Sequence, residues 1–260
     1  MNCKICNNTT DLFGEARILG KYHASFYRCG QCGFIQTENP YWLDEAYSST
    51  MTKSDIGLIG RNLDMANITK KLILTCFDPG ERFIDYGGGY GMFVRLMRDS
   101  GFDFYRYDPL CVNLFSESFD AQFGMEYSLL TAWEVLEHLT DPLAEIERML
   151  SFSQTLFFST LLLPSTPKPL NDWWYYGLEH GQHVAFYSTE SLQVISKKFN
   201  LKLYHSNGVF HLLSCTEINP LLIQLTFNPR YRVLRRLFTK RQPASLLEQD
   251  YHKITGKKLQ

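Results

Sequence analysis

The sequence predicts an α/β protein with an open, mostly parallel sheet, preceded by a small cysteine-rich module. Strand-like and helix-like segments alternate through the middle of the chain, which is typical of such a sheet. A glycine-rich loop follows the first of these strands, and two Cys-x-x-Cys pairs lie near the N-terminus. These three observations define the fold class.

The overall composition is that of an ordinary soluble protein. The chain has 260 residues, of which 45% are hydrophobic, and a formal net charge of −1. So small a charge disfavours nucleic acid as a partner, because neutralisation of phosphates dominates such binding. No apolar run approaches the ~18–20 residues that a membrane span needs, and the N-terminus lacks the pattern of a signal peptide. We expect a cytoplasmic protein without a membrane span, and its oligomeric state is left open.

Four cysteines predict a metal site. Cys3 and Cys6 form one Cys-x-x-Cys pair, and Cys29 and Cys32 form a second pair farther along the module. Each pair can present two thiolates to one ion, so the pattern predicts a tetrahedral zinc site. Four thiolates leave no open position for a substrate. We therefore expect the zinc to be structural and to fold a zinc ribbon over residues 1–40.

The main domain is expected over residues 54–216, after a connector over residues 41–53. Apolar residues at helical spacing predict a first helix in "SDIGLIGRNLDMANITKKLILTCF", and "DPG" ends it. The apolar run "RFIDY" then predicts a strand, and the residues after the glycine loop predict a helix that ends at Gly101. "FDFYRYDP" and "YSLLTAWEV" predict the second and third strands.

The second half of the domain continues the alternation. A helix is expected near "TDPLAEIERML", and "QTLFFSTLLL" predicts a buried strand. "STESLQVISKKFN" predicts a helix capped by Ser188 or Thr189. "LKLYHSNGVFHLLSC" predicts two strands joined near Asn207-Gly208, a favoured hairpin turn. Residues 217–260 predict a basic helical tail, either a solvated face or a contact for an anionic substrate or surface.

The glycine loop points to a particular ligand. It differs from the dinucleotide motif Gly-x-Gly-x-x-Gly, because the third residue after Gly89 is Met92. Asp85 precedes the glycines, and a carboxylate there suits a cationic ligand better than a pyrophosphate. The second strand ends at Asp108, where an acid typically accepts hydrogen bonds from ribose hydroxyls. A ligand with a ribose, an amino group and no pyrophosphate fits S-adenosylmethionine.

These motifs resemble those of class I S-adenosylmethionine-dependent methyltransferases over roughly residues 55–216. "FIDYGGGYGMF" is similar to their first motif and "YRYDP" to their acidic second motif. "LLTAWEVLEHLTDP" and "GQHVAFYSTESL" resemble segments of the subgroup that contains ubiquinone-biosynthesis O-methyltransferases. The four-cysteine module resembles that of deoxysugar C-methyltransferases. The resemblance implies a Rossmann-like seven-stranded sheet with helices on both faces and a reversed last strand.

The resemblance also implies a cofactor site. Asp85, Gly87 and Gly89 would contact the amino-acid part of S-adenosylmethionine, and Asp108 would bind its ribose. The stretch from Asp108 to Tyr127 is too short for the usual helix and third strand, so Phe119 or Asp120 is the expected adenine contact. The full expected set is Asp85, Gly87, Gly88, Gly89, Tyr90, Tyr107, Asp108, Pro109, Leu110, Phe119 and Trp133.

The expected reaction moves a methyl group to oxygen or carbon of a small polar acceptor, which the zinc module suggests is sugar-linked. The acceptor usually has to lose a proton, so a base helps. His183 is the expected base, since the resemblance puts it on the substrate side and an imidazole is mostly neutral near pH 7. Alternatively, His183 only holds a loop. The nearby "WWYYGLEH", which ends in Glu179 and His180, predicts either a packed lid or a stacking platform.

The segment "WEVLEHL" leaves three interpretations open. In a helix, Glu134, Glu137 and His138 would share one face and could hold Mg²⁺ or Mn²⁺ together with His183. Without a metal, Glu134 and His138 would orient groups or carry protons, with His180, beside His183. The third interpretation is an ordinary helix start. The alternative function is an RNA or protein methyltransferase in which the zinc ribbon and the basic tail hold a macromolecule.

Overall fold

The computed structural model describes residues 1–48, 56–122, 124–206 and 208–259. The expected junction at residues 53 and 54, and Asn207 of the expected hairpin turn, lie outside these ranges. The chain divides into two compact units. The first unit comprises Met1–Thr52, Glu134–Leu150 and Phe157–Cys215, and the second comprises Lys53–Trp133, Ser151–Leu156 and Thr216–Gln260.

Strands and helices alternate as the sequence predicts. The strands are β1 (Thr10–Ile18), β2 (Tyr22–Cys29), β3 (Ile35–Thr37), β4 (Arg82–Tyr86), β5 (Asp103–Tyr107), β6 (Leu129–Ala132), β7 (Thr155–Ser159), β8 (Ala185–Phe186), β9 (Lys202–Ser206) and β10 (Phe210–Ser214). The α-helices are α1 (Leu43–Ala46), α2 (Leu58–Cys76), α3 (Met92–Asp99), α4 (Pro142–Leu150), α5 (Thr189–Lys198), α6 (Pro220–Phe227), α7 (Arg232–Arg235) and α8 (Leu247–Thr255). Short 3-10 turns lie at Leu136–His138, Trp174–Tyr176 and Pro229–Tyr231.

The larger sheet is mixed and has six strands among the described residues, in the order β5-β4-β6-β7-β10-β9. β4 is parallel to β5 and β6, and β9 is antiparallel to β10. The expected seventh strand is reduced to an isolated parallel bridge between Arg106 and Asp120. The backbone of Arg106 makes two hydrogen bonds there, to Phe119 and Ala121. The shortened chain after Asp108 has room for this bridge and not for a full strand.

Aromatic packing builds the core of the second unit. Phe83 on β4 stacks on Phe104 of β5, with 5.2 Å between ring centroids. Phe93 of α3 meets Phe104 edge-on at 5.4 Å. All residues of β4 after Arg82 are buried, as expected of a parallel strand covered on both faces.

The N-terminal strands belong to the first unit and share its core. A second sheet has the order β1-β2-β3-β8, so the two-residue strand β8 extends the cysteine-rich module. Phe26 and Trp42 are buried in one cluster with Trp173 and Tyr176. Of the four consecutive aromatics, only Trp174 is exposed, at 75%. The segment is therefore largely packed, and Trp174 is the one side chain that could serve as a stacking platform.

The C-terminal helix α8 is tied into the second unit by a buried ion pair. Asp250 accepts from Arg98 at 2.7 and 2.8 Å and from Arg95 at 2.9 Å. Breaking a buried pair by removing one partner typically costs about 3–5 kcal/mol. Among the described residues, no helix combines the length and apolarity that crossing a membrane requires.

Candidate functional site

The glycine loop of the second unit follows β4 directly and leads into α3. A side chain at Gly88 would lie 2.9 Å from Oδ2 of Asp85 and 3.1 Å from Cγ of Arg106. At Gly91, φ is +86°, and a Cβ would lie 2.3 Å from Oγ of Ser116. Only glycine fits these two positions, because one is crowded and the other is left-handed.

Asp85 is a buried acid at the end of β4. Its Oδ1 accepts a hydrogen bond from the hydroxyl of Thr131 at 2.7 Å. Burial raises the pKa of Asp85 to about 7, and the charge of Asp108 adds to the rise, while Thr131 and Arg106 oppose it. Asp85 therefore changes charge near neutral pH, and a cationic ligand would hold it ionised.

Asp108 fastens the loop after β5 to the glycine loop. Its Oδ2 accepts from the backbone N–H of Gly89 at 2.8 Å. Its Oδ1 accepts from the backbone N–H groups of Leu110 and Cys111 at 2.8 and 3.0 Å. The two acids expected to hold the cofactor are thus joined through the glycine loop.

Arg106 is a buried residue of this site that the sequence did not single out. Its Nε donates to the carbonyl of Gly89 at 2.6 Å, and its Nη1 donates to Oδ1 of Asp120 at 2.9 Å. Its Nη2 donates to the carbonyls of Cys111 and Asp108. The guanidinium of Arg106 therefore links three segments by hydrogen bonds: the glycine loop, the loop after β5 and the segment at Asp120. An arginine inside the aromatic run "FYRY" of β5 is the signal for it, because buried arginines are almost always paired.

The other expected cofactor residues lie in the same unit. Phe119 is fully buried, and the guanidinium of Arg98 lies 3.7 Å from its ring centroid. Asp120, the other expected adenine contact, has a side chain that is 55% exposed. Tyr107 packs on Phe152 at 5.0 Å. The remaining residues are the exposed Pro109 and Leu110 and the half-buried Tyr90 and Trp133.

The segment "WEVLEHL", which enters the first unit at Glu134, forms no continuous helix. A 3-10 turn covers only Leu136–His138, and Glu134 has φ of +54°. Ser159 holds Glu134 by donating its hydroxyl to Oε1 and accepting from the backbone N–H, both at 2.9 Å. The expected shared helical face is therefore absent. Instead, ligand atoms of Glu137, His138 and His183 lie within 4.8 Å of one another, without Glu134.

Two histidines of this cluster have their ring orientations set by hydrogen bonds. His183 Nδ1 lies 2.6 Å from the carbonyl of Tyr175, so Nδ1 donates and Nε2 keeps its lone pair. His138 Nδ1 is hydrogen-bonded to the hydroxyl of Tyr47 at 2.8 Å. Burial lowers the pKa of His183 to about 4 and that of His138 well below its usual value. His180, whose ring centroid is 4.7 Å from that of His183, also has a lowered pKa because of burial.

Glu137 is the least satisfied member of the cluster. It is fully buried, and neither carboxyl oxygen has a hydrogen-bond partner among the described residues. Burial raises its pKa to about 8, and Glu134 adds to the rise. The hydroxyls of Tyr175 and Thr160 oppose the rise, but they hydrogen-bond each other at 3.1 Å. A buried carboxyl in this state suits a bound ion, water or ligand group.

The four N-terminal cysteines converge, also in the first unit. The Sγ atoms of Cys3 and Cys32 are 3.6 Å apart, those of Cys6 and Cys29 are 3.4 Å apart, and all four lie within 4.8 Å of one another. Zn–S bonds of about 2.3 Å in a tetrahedron place sulfurs about 3.8 Å apart. All four thiols are free of disulfides, so the cluster fits one metal ion.

Comparisons with known proteins identify the family. Residues 60–206 match the family described as a methyltransferase domain. No protein of curated function is significantly similar in sequence. An O-methyltransferase family protein from Burkholderia thailandensis is 14% identical, with a TM-score of 0.50, over 69% of this chain and 65% of that one.

Two other solved structures are similar. One is an O-methyltransferase family 2 protein from Planctomyces limnophilus DSM 3776 in complex with apigenin, with 15% identity, a TM-score of 0.45, and 66% and 64% coverage of the two chains. The other is human N-acetylserotonin methyltransferase in complex with SAM, with 14% identity, a TM-score of 0.43, and 68% and 62% coverage. The chain thus spans slightly less than two thirds of these proteins. The family match over more than half of its length shows that this chain belongs to the methyltransferase domain family.

Proposed function

We propose that this protein transfers a methyl group from S-adenosylmethionine to oxygen or carbon of a small polar acceptor. The observation that carries the proposal is the pair of acids, Asp85 and Asp108, joined through the glycine loop in a member of the methyltransferase domain family. When bound, S-adenosylmethionine supplies an electrophilic methyl group on a sulfonium. The chain's task is to position it and to manage the acceptor's proton.

In this proposal the second unit binds the donor. Asp85 pairs with the donor's ammonium group, which keeps the buried carboxyl ionised. Asp108 accepts hydrogen bonds from the ribose hydroxyls while its other contacts hold the loops. We assign the adenine contacts to Asp120, Pro109 and Leu110, because their side chains are exposed on the surface of this unit.

We infer that Nε2 of His183 takes the acceptor's proton. The carbonyl of Tyr175 holds the proton on Nδ1, so the lone pair of Nε2 is available. A pKa of about 4 keeps this imidazole neutral across the physiological range. It also makes His183 a weak base, which suits an acidic hydroxyl such as a phenol better than a sugar alcohol. The resemblance of the four-cysteine module to that of deoxysugar C-methyltransferases predicts a sugar-linked acceptor instead of a phenol.

The second candidate function is the same methyl transfer assisted by a metal ion, which we call the metal-assisted version. The unpartnered carboxyl of Glu137 favours it. Glu137, His138 and His183 would hold a divalent ion such as Mg²⁺ or Mn²⁺, which would lower the pKa of an acceptor hydroxyl. In both His138 and His183, Nδ1 is hydrogen-bonded to the protein and Nε2 is left for the metal. Metal-bound imidazoles usually have such a hydrogen bond on their second ring nitrogen. Dialysis against EDTA with zinc retained should abolish turnover in this version and leave it unchanged in the metal-free one.

We also propose that the four cysteines hold a structural zinc. The spacing of the sulfur atoms and the missing disulfides support this role. Elemental analysis should find one zinc per chain, and Cys29→Ser with Cys32→Ser should lose the metal and lower the melting temperature. A full complement of zinc in that double variant would contradict the proposal.

The experiment that tests the function combines donor binding with an acceptor screen. Calorimetry should detect S-adenosylmethionine binding that Asp108→Asn weakens by about tenfold or more, since a hydrogen bond to a charged group contributes about 1.5–3 kcal/mol. Labelled donor is then offered with phenols, sugar nucleotides, RNA and protein. Transfer to RNA or protein alone would favour the alternative function, and absence of donor binding would overturn the assignment.

A further inference from the structure

One stretch of the second unit has an unusual charge. Residues 220–241 contain six of the 26 basic residues of the chain and none of its 27 acidic residues. The net charge of the chain is −1, so the rest of the molecule is acidic. The six basic residues are Arg230, Arg232, Arg235, Arg236, Lys240 and Arg241.

Large apolar side chains are exposed between these basic residues. Val233 and Leu237 are 77% and 79% exposed, and Leu234, Phe238 and Tyr231 are also exposed. Scattered exposed apolar residues are normal. Five within eight positions, from 231 to 238, form a patch of the kind that marks an interaction site. We call residues 230–241 the basic apolar surface.

This surface is anchored to the rest of its unit. Ile223 and Leu225 of α6, just before it, are buried. At its other end, Lys240 donates its backbone N–H to the carbonyl of Leu74 at 2.8 Å and its Nζ to the carbonyl of Phe77 at 2.8 Å. The surface is thus presented by a folded unit.

Several of these positive charges have no acidic partner in the part of the chain that the structure describes. Among the described residues, Arg230, Arg236 and Arg241 form no salt bridge, and no acid lies between residues 220 and 241. Nη1 of Arg235 donates a long hydrogen bond, 3.5 Å, to the carbonyl of Thr226. A surface of arginines without acidic partners, interleaved with exposed aliphatic groups, suits a partner that is both anionic and apolar.

We propose that the basic apolar surface binds the protein to anionic lipid bilayers. Basic residues are attracted to the negative surface of such a bilayer, and apolar side chains add to this attraction by entering the headgroup region. Val233 and Leu237 are the inserting groups, and the arginines lie against lipid phosphates. RNA fits less well, because single strands are held by aromatic stacking and the most exposed residues here are aliphatic.

The test is co-sedimentation of the full chain with vesicles. We expect binding to mixed phosphatidylcholine and phosphatidylglycerol vesicles to exceed binding to pure phosphatidylcholine by at least tenfold, and to fall as salt rises. The variant V233E/L237E should lose at least nine tenths of this binding. The matched control is Ile254→Glu on α8, also exposed at 54% but outside the surface, which should bind like the natural chain. Circular dichroism checks that each variant is folded.

Other outcomes would overturn the proposal. Equal binding to neutral and anionic vesicles would remove the role of the arginines. Undiminished binding of a folded V233E/L237E variant would remove the role of the apolar groups. Failure to bind vesicles, together with salt-sensitive binding to RNA, would reassign the surface to nucleic acid. A dimer seen by light scattering that V233E/L237E abolishes, without vesicle binding, would reassign it to a second copy of the chain.

Discussion

The two clusters of candidate functional residues differ in how completely their polar groups are satisfied. Around the glycine loop, Asp108 accepts three backbone hydrogen bonds and Arg106 bonds three carbonyls and a carboxylate. In the histidine cluster, Glu137 is fully buried, and its carboxyl has no partner in the part of the chain that the structure describes. The first cluster is therefore held in place by its own hydrogen bonds, whereas the second contains a buried carboxyl that still needs a proton, an ion or another polar partner.

Replacing His183 with alanine should have the largest effect in the histidine cluster. A positioned base contributes typically about 10²–10⁴-fold to the rate, so kcat should fall by that factor. The dissociation constant for S-adenosylmethionine should stay the same, because the donor is assigned to other residues. Steady-state kinetics and calorimetry measure the two quantities, and the exposed His252→Ala is the control. An unchanged kcat would leave His183 with a role in holding its loop.

Replacing Arg106 with methionine should disrupt the glycine-loop cluster. The variant leaves the carbonyls of Gly89 and Cys111 without their donor, so the loops lose their fixed positions. We expect the KM for S-adenosylmethionine to rise by about 10- to 100-fold, the equivalent of one to two charged hydrogen bonds, with kcat nearly retained at saturation. Arg82→Met, at the exposed start of β4, should change neither value. Equal KM values in both variants would show that the loops hold their positions without Arg106.

The pH dependence of donor binding should identify Asp85. Its pKa is raised to about 7, so the carboxyl gains a proton as the pH falls through 7. Only the ionised form pairs with an ammonium group, so affinity should decrease below pH 7, by up to tenfold per pH unit, and level off above about pH 8. Calorimetry from pH 5.5 to 8.5 measures this. Asp85→Asn should bind weakly at every pH, and a pH-dependent affinity in that variant would assign the titration to another group.

Glu137 should cause a smaller effect, a pH dependence of the free energy of unfolding. Its pKa is about 8 in the folded chain and about 4.3 when unfolded, so the folded state binds the extra proton between these values. The free energy of unfolding should therefore decrease as pH rises toward 8, by at most about 1.4 kcal/mol per unit, and then level off. Glu137→Gln should remove this part of the slope. If Mn²⁺ stabilises the natural chain but not Glu137→Gln, the metal-assisted version gains support.

Local patterns predicted the parts of the molecule that local contacts build. The glycine loop and Asp108 are encoded in one short stretch of the chain, and the structure joins them by a hydrogen bond between Gly89 and Asp108. The capped start of α5 at Ser188 is likewise a short-range feature. The sequence showed that the segment after Asp108 is too short for the usual strand. It did not predict the bridge at Asp120 that takes the place of that strand.

Long-range contacts account for what local patterns missed. In one of the three interpretations, a helix would put Glu134, Glu137 and His138 on one face, but Ser159, 25 positions later, holds Glu134 outside the turn. The pairing of β8 with β3 was missed because a two-residue strand carries no periodicity. Arg106 was missed for a similar reason, since its partners lie on loops whose approach depends on the folded sheet.

The buried pair between Arg98 and Asp250 also bears on how the protein is made. The two residues are 152 positions apart in the chain, and Arg98 also bonds the carbonyl of Phe104 on β5. During synthesis, Arg98 can pair with the nearby Asp103, but it must wait for Asp250 until the ribosome has produced all of the intervening chain. The second unit is therefore expected to reach its final stability late in translation, so that a stalled, incomplete product would lack the ion pair that ties α8 to α3 and would be more open to proteases.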